Sequence, residues 1–212
     1  MRIAWHGHSC FEFTDGLSVV VDPHDGRSIG IMPPSVRADL VLMTHDHYDH
    51  NAARAIRGVH KDFMEKAGEF EYGGIRFLGI PTHHDESRGA KRGRNTVYRF
   101  QMEGIVFCHC GDLGHMPDDF FFHQLGKVDV LMVPTGGGFT LEIGKVMQLI
   151  ERINPKIVVP MHYRVGGLSI AIDGLDSFLS HAPDDRVYHV GNVVELYADD
   201  LMEGTEYWIF SL

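Results

Sequence analysis

The segment THDHYDHN, residues 44–51, has side chains that can bind a metal ion at five of six consecutive positions: His45, Asp46, His47, Asp49 and His50. It follows directly after the apolar run LVLM, which is typical of a buried strand. The His-x-His spacing lets two imidazoles approach one cation, and the Asp-His pair that follows can bind a second cation nearby. Zinc prefers imidazole nitrogen and carboxylate oxygen as ligands. We therefore interpret the segment as a strand-end loop that supplies ligands to metal ions.

Histidine or aspartate also stands at the end of four further apolar runs. Asp22 follows SVVV, His83 and His84 follow FLGIPT, Asp112 follows VFCHCG, and His162 follows IVVPM. In open α/β sheets, ligands bind beyond the carboxyl ends of the strands, where loops from separate parts of the chain converge. The five runs together therefore predict one shared metal site.

Each of these residues has an ordinary structural explanation when it is considered alone. Asp49 is a suitable N-cap for a helix over DHNAARAI, and Asp22 with Pro23 can open a turn. His84 can be a surface loop residue, and His162 can be a hydrogen-bonded residue of the core. Their coincidence favours the metal site, because solvated turns use glycine, asparagine and serine as readily as histidine and aspartate.

The apolar runs predict central strands, and their lack of alternation indicates burial on both faces. Helices are predicted over DHNAARAI, MPDDFFFHQLG and TLEIGKVMQLIERIN, the last with apolar residues at a helical period. The shorter strands RIAWHG, CFEF, RVYHV and VVELY are expected to pair antiparallel and to extend mixed sheets. Strands mixed with amphipathic helices indicate a layered α/β domain.

The length and composition limit the domain organisation and the partners. No linker or repeat divides the 212 residues, so residues 1–212 are predicted to form a single domain. The formal net charge of −10 opposes binding to nucleic acid and to anionic membranes. No run approaches the roughly 18 apolar residues of a membrane span, and the N-terminus lacks the apolar segment of a signal peptide. With only three cysteines, these features predict a cytoplasmic protein without a membrane partner.

Further motifs accompany the metal-binding segment in order along nearly the whole chain. They are GHSCF at 7–11, VDP at 21–23, HDESRGAKRGRN at 84–95, GDLGH at 111–115, PTGGGFT at 134–140 and PMHY at 160–163. With His-x-His-x-Asp-His at 45–50, they resemble the metallo-β-lactamase fold superfamily. Within it, the chain is similar to the small single-domain metal-dependent hydrolases related to the phosphorylated-ascorbate lactonases.

The resemblance implies a ligand set and a fold. The ligands would be His45, His47 and His84 for the first ion, Asp49, His50 and His162 for the second, and Asp112 as a bridge between them. His84 is favoured over His83, because the motif continues as HD before a glycine-rich basic loop. The implied α/β fold is a four-layer αβ/βα sandwich, with two mixed β-sheets flanked by helices and the site at one edge of the sheets.

Two divalent ions are implied, with zinc favoured and manganese or iron also open. Diiron relatives that reduce oxygen usually carry glutamate at the position of His47, which argues against a redox iron pair. A hydroxide that bridges the ions is the expected nucleophile, and the ions would polarise the carbonyl or phosphoryl oxygen of the substrate. Asp49 is a candidate catalytic residue, because it would orient that hydroxide while it binds the second ion.

Three residues are assigned supporting roles. Asp22 is a candidate acceptor for the N–H of a liganding imidazole, which would fix the tautomer of that ring. His115, in GDLGH, is a candidate catalytic residue for proton transfer, and His8, in GHSCF, is a candidate for substrate contact. The alternative is that both histidines orient loops, as histidines in such positions more often do.

The loop SRGAKRGRN places Arg88, Lys91, Arg92 and Arg94 together in an acidic protein. Guanidinium groups bind phosphate or carboxylate in pairs, so the loop predicts a small anionic substrate; a solvated basic loop is the alternative. The leading hypothesis is a hydrolase of a small anionic ester or lactone. A phosphodiesterase that uses the same ions and a non-catalytic metal-binding protein are the alternatives.

Overall fold

The computed structural model describes residues 1–212 as two β-sheets that pack around one main apolar core. The first sheet has six strands. In spatial order they are β13 (Val193–Glu195), β1 (Arg2–Trp5), β2 (Phe11–Asp15), β3 (Leu17–Val21), β4 (Leu40–Met43) and β5 (Lys61–Met64). Strands β13, β1, β2 and β3 pair antiparallel, whereas β3, β4 and β5 pair parallel. The carboxyl ends of β3 and β4 therefore lie at the same edge.

The second sheet has eight strands. In spatial order they are β12 (Val187–His189), β14 (Glu206–Ile209), β11 (Ile157–Met161), β10 (Val130–Pro134), β9 (Ile105–His109), β8 (Arg94–Met102), β7 (Ile75–His83) and β6 (Gly68–Tyr72). Strands β6 to β9 pair antiparallel, and the remaining pairs are parallel. Both sheets are mixed, as the sequence predicts.

Side chains from both sheets meet in the core between them. The ring of Phe13, on β2, packs edge-on against Phe100 of β8 and Phe107 of β9, with centroid distances of 4.9 and 5.2 Å. Every residue of β4, β9, β10 and β11 is buried. These strands are the apolar runs without alternation, so their predicted burial on both faces is confirmed.

The helices pack mainly on the second sheet. Helix α1 (Asp119–Leu125) begins after Asp118, whose carboxylate accepts the backbone N–H of Phe121. Helix α2 (Ile143–Ile153) ends at Asn154 in the left-handed conformation, and α3 (Asp176–Leu179) is a single turn. Helix α1 contacts β7 and α2 contacts β10, both in the second sheet. The predicted α/β sandwich of two mixed sheets is confirmed, with its two longer helices on the second sheet. None of the helices has the length and apolar character needed to cross a membrane.

The predicted helix over DHNAARAI is wrong. Only Ala53–Ala55 are helical, as one 3-10 turn. Asp49 does not cap this segment, because its carboxylate is hydrogen-bonded to the imidazole of His8. The backbone N–H of Ala52 donates to the carbonyl of Pro23 at 2.8 Å, which ties the segment to the loop after β3.

The predicted antiparallel pairing of RVYHV is also wrong. Strand β12 pairs parallel with β14, with Val187 opposite Tyr207. Between these two strands the chain forms β13, which belongs to the first sheet. A hairpin between β12 and β14 is therefore excluded, since the connection crosses to the other sheet and returns.

Candidate metal centre

The loops that follow β3, β4, β7, β9 and β11 meet at one edge of the two sheets. Asp22, His84 and His162 come directly after β3, β7 and β11, while His45 and Asp112 follow β4 and β9 within a few residues. All five side chains are buried. The strand ends that the sequence singles out therefore do converge in space.

Asp112 lies at the centre of this cluster. Its Oδ2 atom is 3.0 Å from Nε2 of His84 and 3.1 Å from Nε2 of His162. The Nε2 atoms of His50 and His45 lie 3.4 and 3.7 Å from the same oxygen. Four imidazole nitrogens thus point at one carboxylate oxygen from three separate loops.

The remaining donors form two main groups around Asp112, and a third set, Asp22, His45 and His50, overlaps both. Within each group, the candidate ligand atoms lie within 4.8 Å of one another. The first group is His45, His47 and His84, and the second is His8, Asp49, His50 and His162. This division matches the two ligand sets that the family resemblance implies, with His8 added to the second. His84 rather than His83 joins the cluster.

The cluster fits divalent metal ions, because its polar atoms lack other partners. The Nε2 atoms of His45 and His50 and the Oδ1 atom of Asp112 are buried without a hydrogen-bond partner. A buried polar group left unpaired costs about 1–3 kcal/mol. Imidazole and carboxylate are also the donors that zinc prefers.

The electrostatics of the cluster suit metal binding. Burial, followed by the charge of His50, lowers the pKa of His45 to about 3, so its imidazole is neutral at pH 7. Burial also lowers the pKa of His50, but the carboxylates of Asp112, Asp49 and Asp22 outweigh burial and raise that pKa well above its usual value. Metal binding at His50 must therefore displace a proton.

Asp22 and Thr44 orient two of these imidazoles. Asp22 Oδ2 accepts from His50 Nδ1 at 2.9 Å and from the Thr44 hydroxyl at 2.7 Å. The Thr44 hydroxyl oxygen can in turn accept from His45 Nδ1, which lies 2.9 Å away. With the proton on Nδ1, the Nε2 lone pair of both rings faces the cluster. Asp22 thus has the predicted contact with an imidazole, whereas the part played by Thr44 was not predicted.

Asn95 holds the loop that carries Asp112, and sequence reasoning did not single it out. Its Oδ1 accepts the backbone N–H of Asp112 at 3.0 Å, and its Nδ2 donates to the Cys110 carbonyl and to the Thr82 hydroxyl, both at 2.9 Å. Gly111 is required here, because a Cβ atom would lie 2.3 Å from Asn95 Oδ1 and its φ is +54°. The only available signal was the position of Asn95 at the end of the HDESRGAKRGRN motif.

Three residues of the centre have left-handed backbone conformations. The φ angles of Asp22, His162 and His8 are +50°, +52° and +53°. For residues other than glycine this conformation costs roughly 1–2 kcal/mol each. Three of the seven non-glycine residues with a positive φ angle therefore lie at the cluster.

The basic loop that follows His84 is organised by Asp85. Its carboxylate accepts four backbone N–H groups, from Ser87, Gly89, Lys91 and Arg92, at 2.7 to 3.0 Å. Desolvation raises the pKa of Asp85, but these hydrogen bonds, led by that of Arg92, outweigh it and hold the pKa below its usual value. Asp85 was likewise not singled out from the sequence.

The arginine side chains of this loop extend away from Asp85. The guanidinium of Arg92 lies 4.1 Å from the ring centroid of Phe139, in the PTGGGFT loop. Arg88 lines a neighbouring cleft, and Arg94 is exposed at the start of β8. None of the three forms a salt bridge.

His115 lies in that cleft and not among the grouped donors. The cleft, of about 830 Å³, is lined by residues of β7, the basic loop and α1, and by none of the seven predicted ligands. His115 Nδ1 donates to the Met116 carbonyl at 3.1 Å, and its Nε2 accepts the backbone N–H of His83 at 3.2 Å. Because both ring nitrogens are engaged, the contacts of His115 do not support its predicted part in proton transfer.

The fold, together with two donor groups around one carboxylate, is typical of a metal-dependent hydrolase. Comparison with known proteins supports the same class. Residues 2–162 match the Beta-lactamase superfamily domain. A UPF0173 metal-dependent hydrolase from Methanoregula boonei is 30% identical over 217 aligned positions, covering 90% of this chain and 95% of that protein. This chain therefore belongs to the metallo-β-lactamase superfamily, in its small single-domain branch.

Solved structures are similar over the full length. A candidate Zn-dependent hydrolase of the metallo-β-lactamase superfamily from Thermotoga maritima has a TM-score of 0.82 at 31% identity, covering 99% of this chain and 97% of that one. A metal-dependent hydrolase candidate from Parabacteroides distasonis has a TM-score of 0.70 at 18% identity, covering 98% of this chain and 91% of that one. At that identity, the second comparison shows the fold alone.

Proposed function

We propose that this chain is a hydrolase that binds two divalent metal ions. The observation that carries the proposal is the arrangement of two donor groups around the single carboxylate of Asp112. The residues that would hold the ions are His45, His47 and His84 for the first, Asp49, His50 and His162 for the second, and Asp112 between them. The relatives named as metal-dependent hydrolases support the same class of activity.

The chain itself contributes orientation and charge. Two bound divalent ions would supply a hydroxide nucleophile at neutral pH and polarise the bond to be cleaved. Asp22 and Thr44 accept from Nδ1 of His50 and His45, so that both Nε2 atoms face the cluster and His50 would bind an ion once it has released its second proton. Asp49 presents a carboxylate at the second group. Its depressed pKa, to which His50 and His8 contribute against burial, keeps that carboxylate ionised.

We favour zinc as the resident metal. Five imidazoles and two carboxylates make up the donor set, which suits zinc better than the oxygen-rich sites of magnesium or calcium. Manganese and iron bind the same donor types and are the alternatives. The Thermotoga maritima protein, described as a candidate Zn-dependent hydrolase, supports the choice of zinc.

We propose a small anionic ester or lactone as the substrate. Arg88, Arg92 and Arg94 extend from the loop that begins next to His84, and their guanidinium groups are free of acidic partners. Guanidinium binds carboxylate or phosphate through paired hydrogen bonds. The same chemistry would accept a phosphodiester, which keeps a phosphodiesterase as the second candidate.

Metal content tests the proposal first. Untagged protein purified without chelators is expected to contain about two zinc or manganese ions per chain by elemental mass spectrometry. A variant with His45→Ala and His162→Ala should lose them, while a His189→Ala variant, altered at an exposed histidine, should retain them. If the wild type binds no metal after incubation with zinc, manganese and iron, the proposal fails.

Substrate screening then separates the candidate activities. Cleavage of lactones and carboxyl esters would support the leading proposal, whereas cleavage of aryl phosphodiesters alone would favour the phosphodiesterase. Protein that binds two ions but hydrolyses neither class would favour a non-catalytic metal-binding protein. An Arg92→Glu variant should raise KM for anionic substrates and leave KM for neutral ones unchanged. Equal KM values for wild type and variant on both classes would remove the anion-binding role of Arg92.

A further inference from the structure

His8 lies in the turn between β1 and β2 and is fully buried. Two hydrogen bonds to its backbone carbonyl fix its position: Trp5 Nε1 donates at 3.1 Å, and the backbone N–H of His162 donates at 3.2 Å. His162 is the residue that follows β11 of the second sheet, so this contact joins the two sheets at the metal centre. The left-handed φ of +53° at His8 is maintained by these contacts.

The imidazole of His8 faces the second donor group. Its Nε2 lies 3.0 Å from Asp49 Oδ2, and its ring centroid is 4.2 Å from that of His162 and 5.0 Å from that of His50. Because the side chain has no exposed surface, a direct contact with substrate, as the sequence predicts, is not its evident role. The ring of His8 instead contacts the carboxylate of Asp49, a candidate ligand of the second ion.

The carboxylate of Asp49 needs a hydrogen-bond partner such as His8 because of its position in the chain. Asp49 belongs to a loop and not to a helix, and its Oδ2 atom lies near one further ring nitrogen, Nε2 of His50, at 3.5 Å. The first donor group consists of imidazoles alone, whereas the second includes this carboxylate. Carboxylates that bind metal ions are commonly held by a further hydrogen bond.

We propose that His8 is a positioning residue, whose Nε2–H donates to Asp49 Oδ2 and holds that carboxylate in the second donor group. The inference rests on the proposed two-metal function. A role of His8 as a direct fifth ligand of the second ion, beside Asp49, His50, His162 and Asp112, is the competing outcome. The two differ in what can replace the imidazole: an amide N–H can serve as a hydrogen-bond donor but is a poor metal ligand.

The test compares His8→Ala with His8→Gln, whose amide nitrogen can occupy the position of Nε2. Metal-free protein is titrated with zinc in competition with a chromophoric chelator. In His8→Ala, we expect the affinity for one of the two zinc equivalents to fall about 10–100-fold, with the other unchanged. In His8→Gln, most of that loss should be restored.

His24→Gln is the matched control. His24 is also fully buried and donates through Nε2 to a backbone carbonyl, that of His6, at 3.0 Å, but it belongs to no donor group. This variant should bind both zinc equivalents as the wild type does. Thermal unfolding of each metal-free variant identifies any general loss of structure.

Several results would overturn the proposal. Unchanged zinc affinity in His8→Ala would show that Asp49 needs no such partner, and equal loss in His8→Gln and His8→Ala would favour direct ligation. If His8→Ala does not fold, two other measurements test the proposal: the zinc titration of His8→Gln, and the resonance of the His8 Nε2–H proton in wild-type protein. The proposal requires that this proton exchange slowly with solvent. Failure of wild-type protein to bind two ions of zinc, manganese or iron would instead contradict the proposed function.

Discussion

The metal centre and the basic loop beside it are built in opposite ways. In the centre, buried side chains from the strand ends hold one another, through bonds such as those from His50 Nδ1 and the Thr44 hydroxyl to Asp22. In the loop, one carboxylate, Asp85, holds the backbone and leaves the arginine side chains outside. In the centre, hydrogen bonds thus fix the positions of the side chains, whereas in the loop they fix only the backbone. Under the proposed function, we therefore expect metal binding and substrate binding to respond to different substitutions.

The largest expected effect comes from Asp112→Asn, which removes the shared carboxylate. Both donor groups should lose metal, and kcat/KM should fall by more than about 100-fold, since even residues behind the ligands typically contribute 10–100-fold. Elemental mass spectrometry and hydrolysis assays measure this. Asp199→Asn, at an exposed residue of a 3-10 turn, is the control. Retention of two ions in Asp112→Asn would contradict the predicted role of this carboxylate as a ligand shared by both ions.

Asp22→Ala tests the support of the centre without removing a predicted ligand. It leaves His50 Nδ1 and Thr44 without their acceptor, so metal affinity should fall about 10–100-fold. Competition with a chelator measures the affinity. The basic loop should be unaffected, which limited proteolysis between residues 85 and 94 can show. Unchanged metal content and activity would remove the role of Asp22.

Asp85→Asn tests the loop without touching the centre. Each carboxylate oxygen accepts two backbone N–H groups, so the amide, with one acceptor oxygen, can accept only two of the four. The loop should therefore lose its shape while both metal ions are retained. We expect KM for anionic substrates to rise about tenfold, or ~1.4 kcal/mol, with kcat little changed. Steady-state kinetics on paired anionic and neutral esters measure this. Loss of metal in Asp85→Asn would show that the two regions are coupled.

Phe139→Leu should have the smallest effect. It removes the aromatic face over which Arg92 lies, an interaction worth about 0.5–1 kcal/mol at an exposed site. KM for anionic substrates should rise two- to fivefold, by the same measurement. Phe139→Tyr, which keeps an aromatic face, should match the wild type; an equal change in both variants would assign the effect to packing.

The sequence predicts the ligands better than it predicts what holds them. His45, His84 and His162 could be located because each follows an apolar run, and a strand end is a local signal. The role of Asn95 depends on the pairing of β7 with β8, which sets Thr82 opposite Asn95, and no local pattern contains that register. The helix predicted after Asp49 is absent for a similar reason. His8, 41 positions earlier in the chain, is hydrogen-bonded to the Asp49 side chain, which was expected to cap that helix.

The left-handed backbone at His8, Asp22 and His162 has a consequence for evolution and engineering. Glycine adopts this conformation without steric penalty. At these three buried positions, glycine would also leave a cavity and, at Asp22, the Thr44 and His50 donors without an acceptor, and these losses offset the relief of backbone strain. A screen for heat-resistant variants is therefore expected to keep the three side chains, although glycine would adopt the backbone conformation more readily.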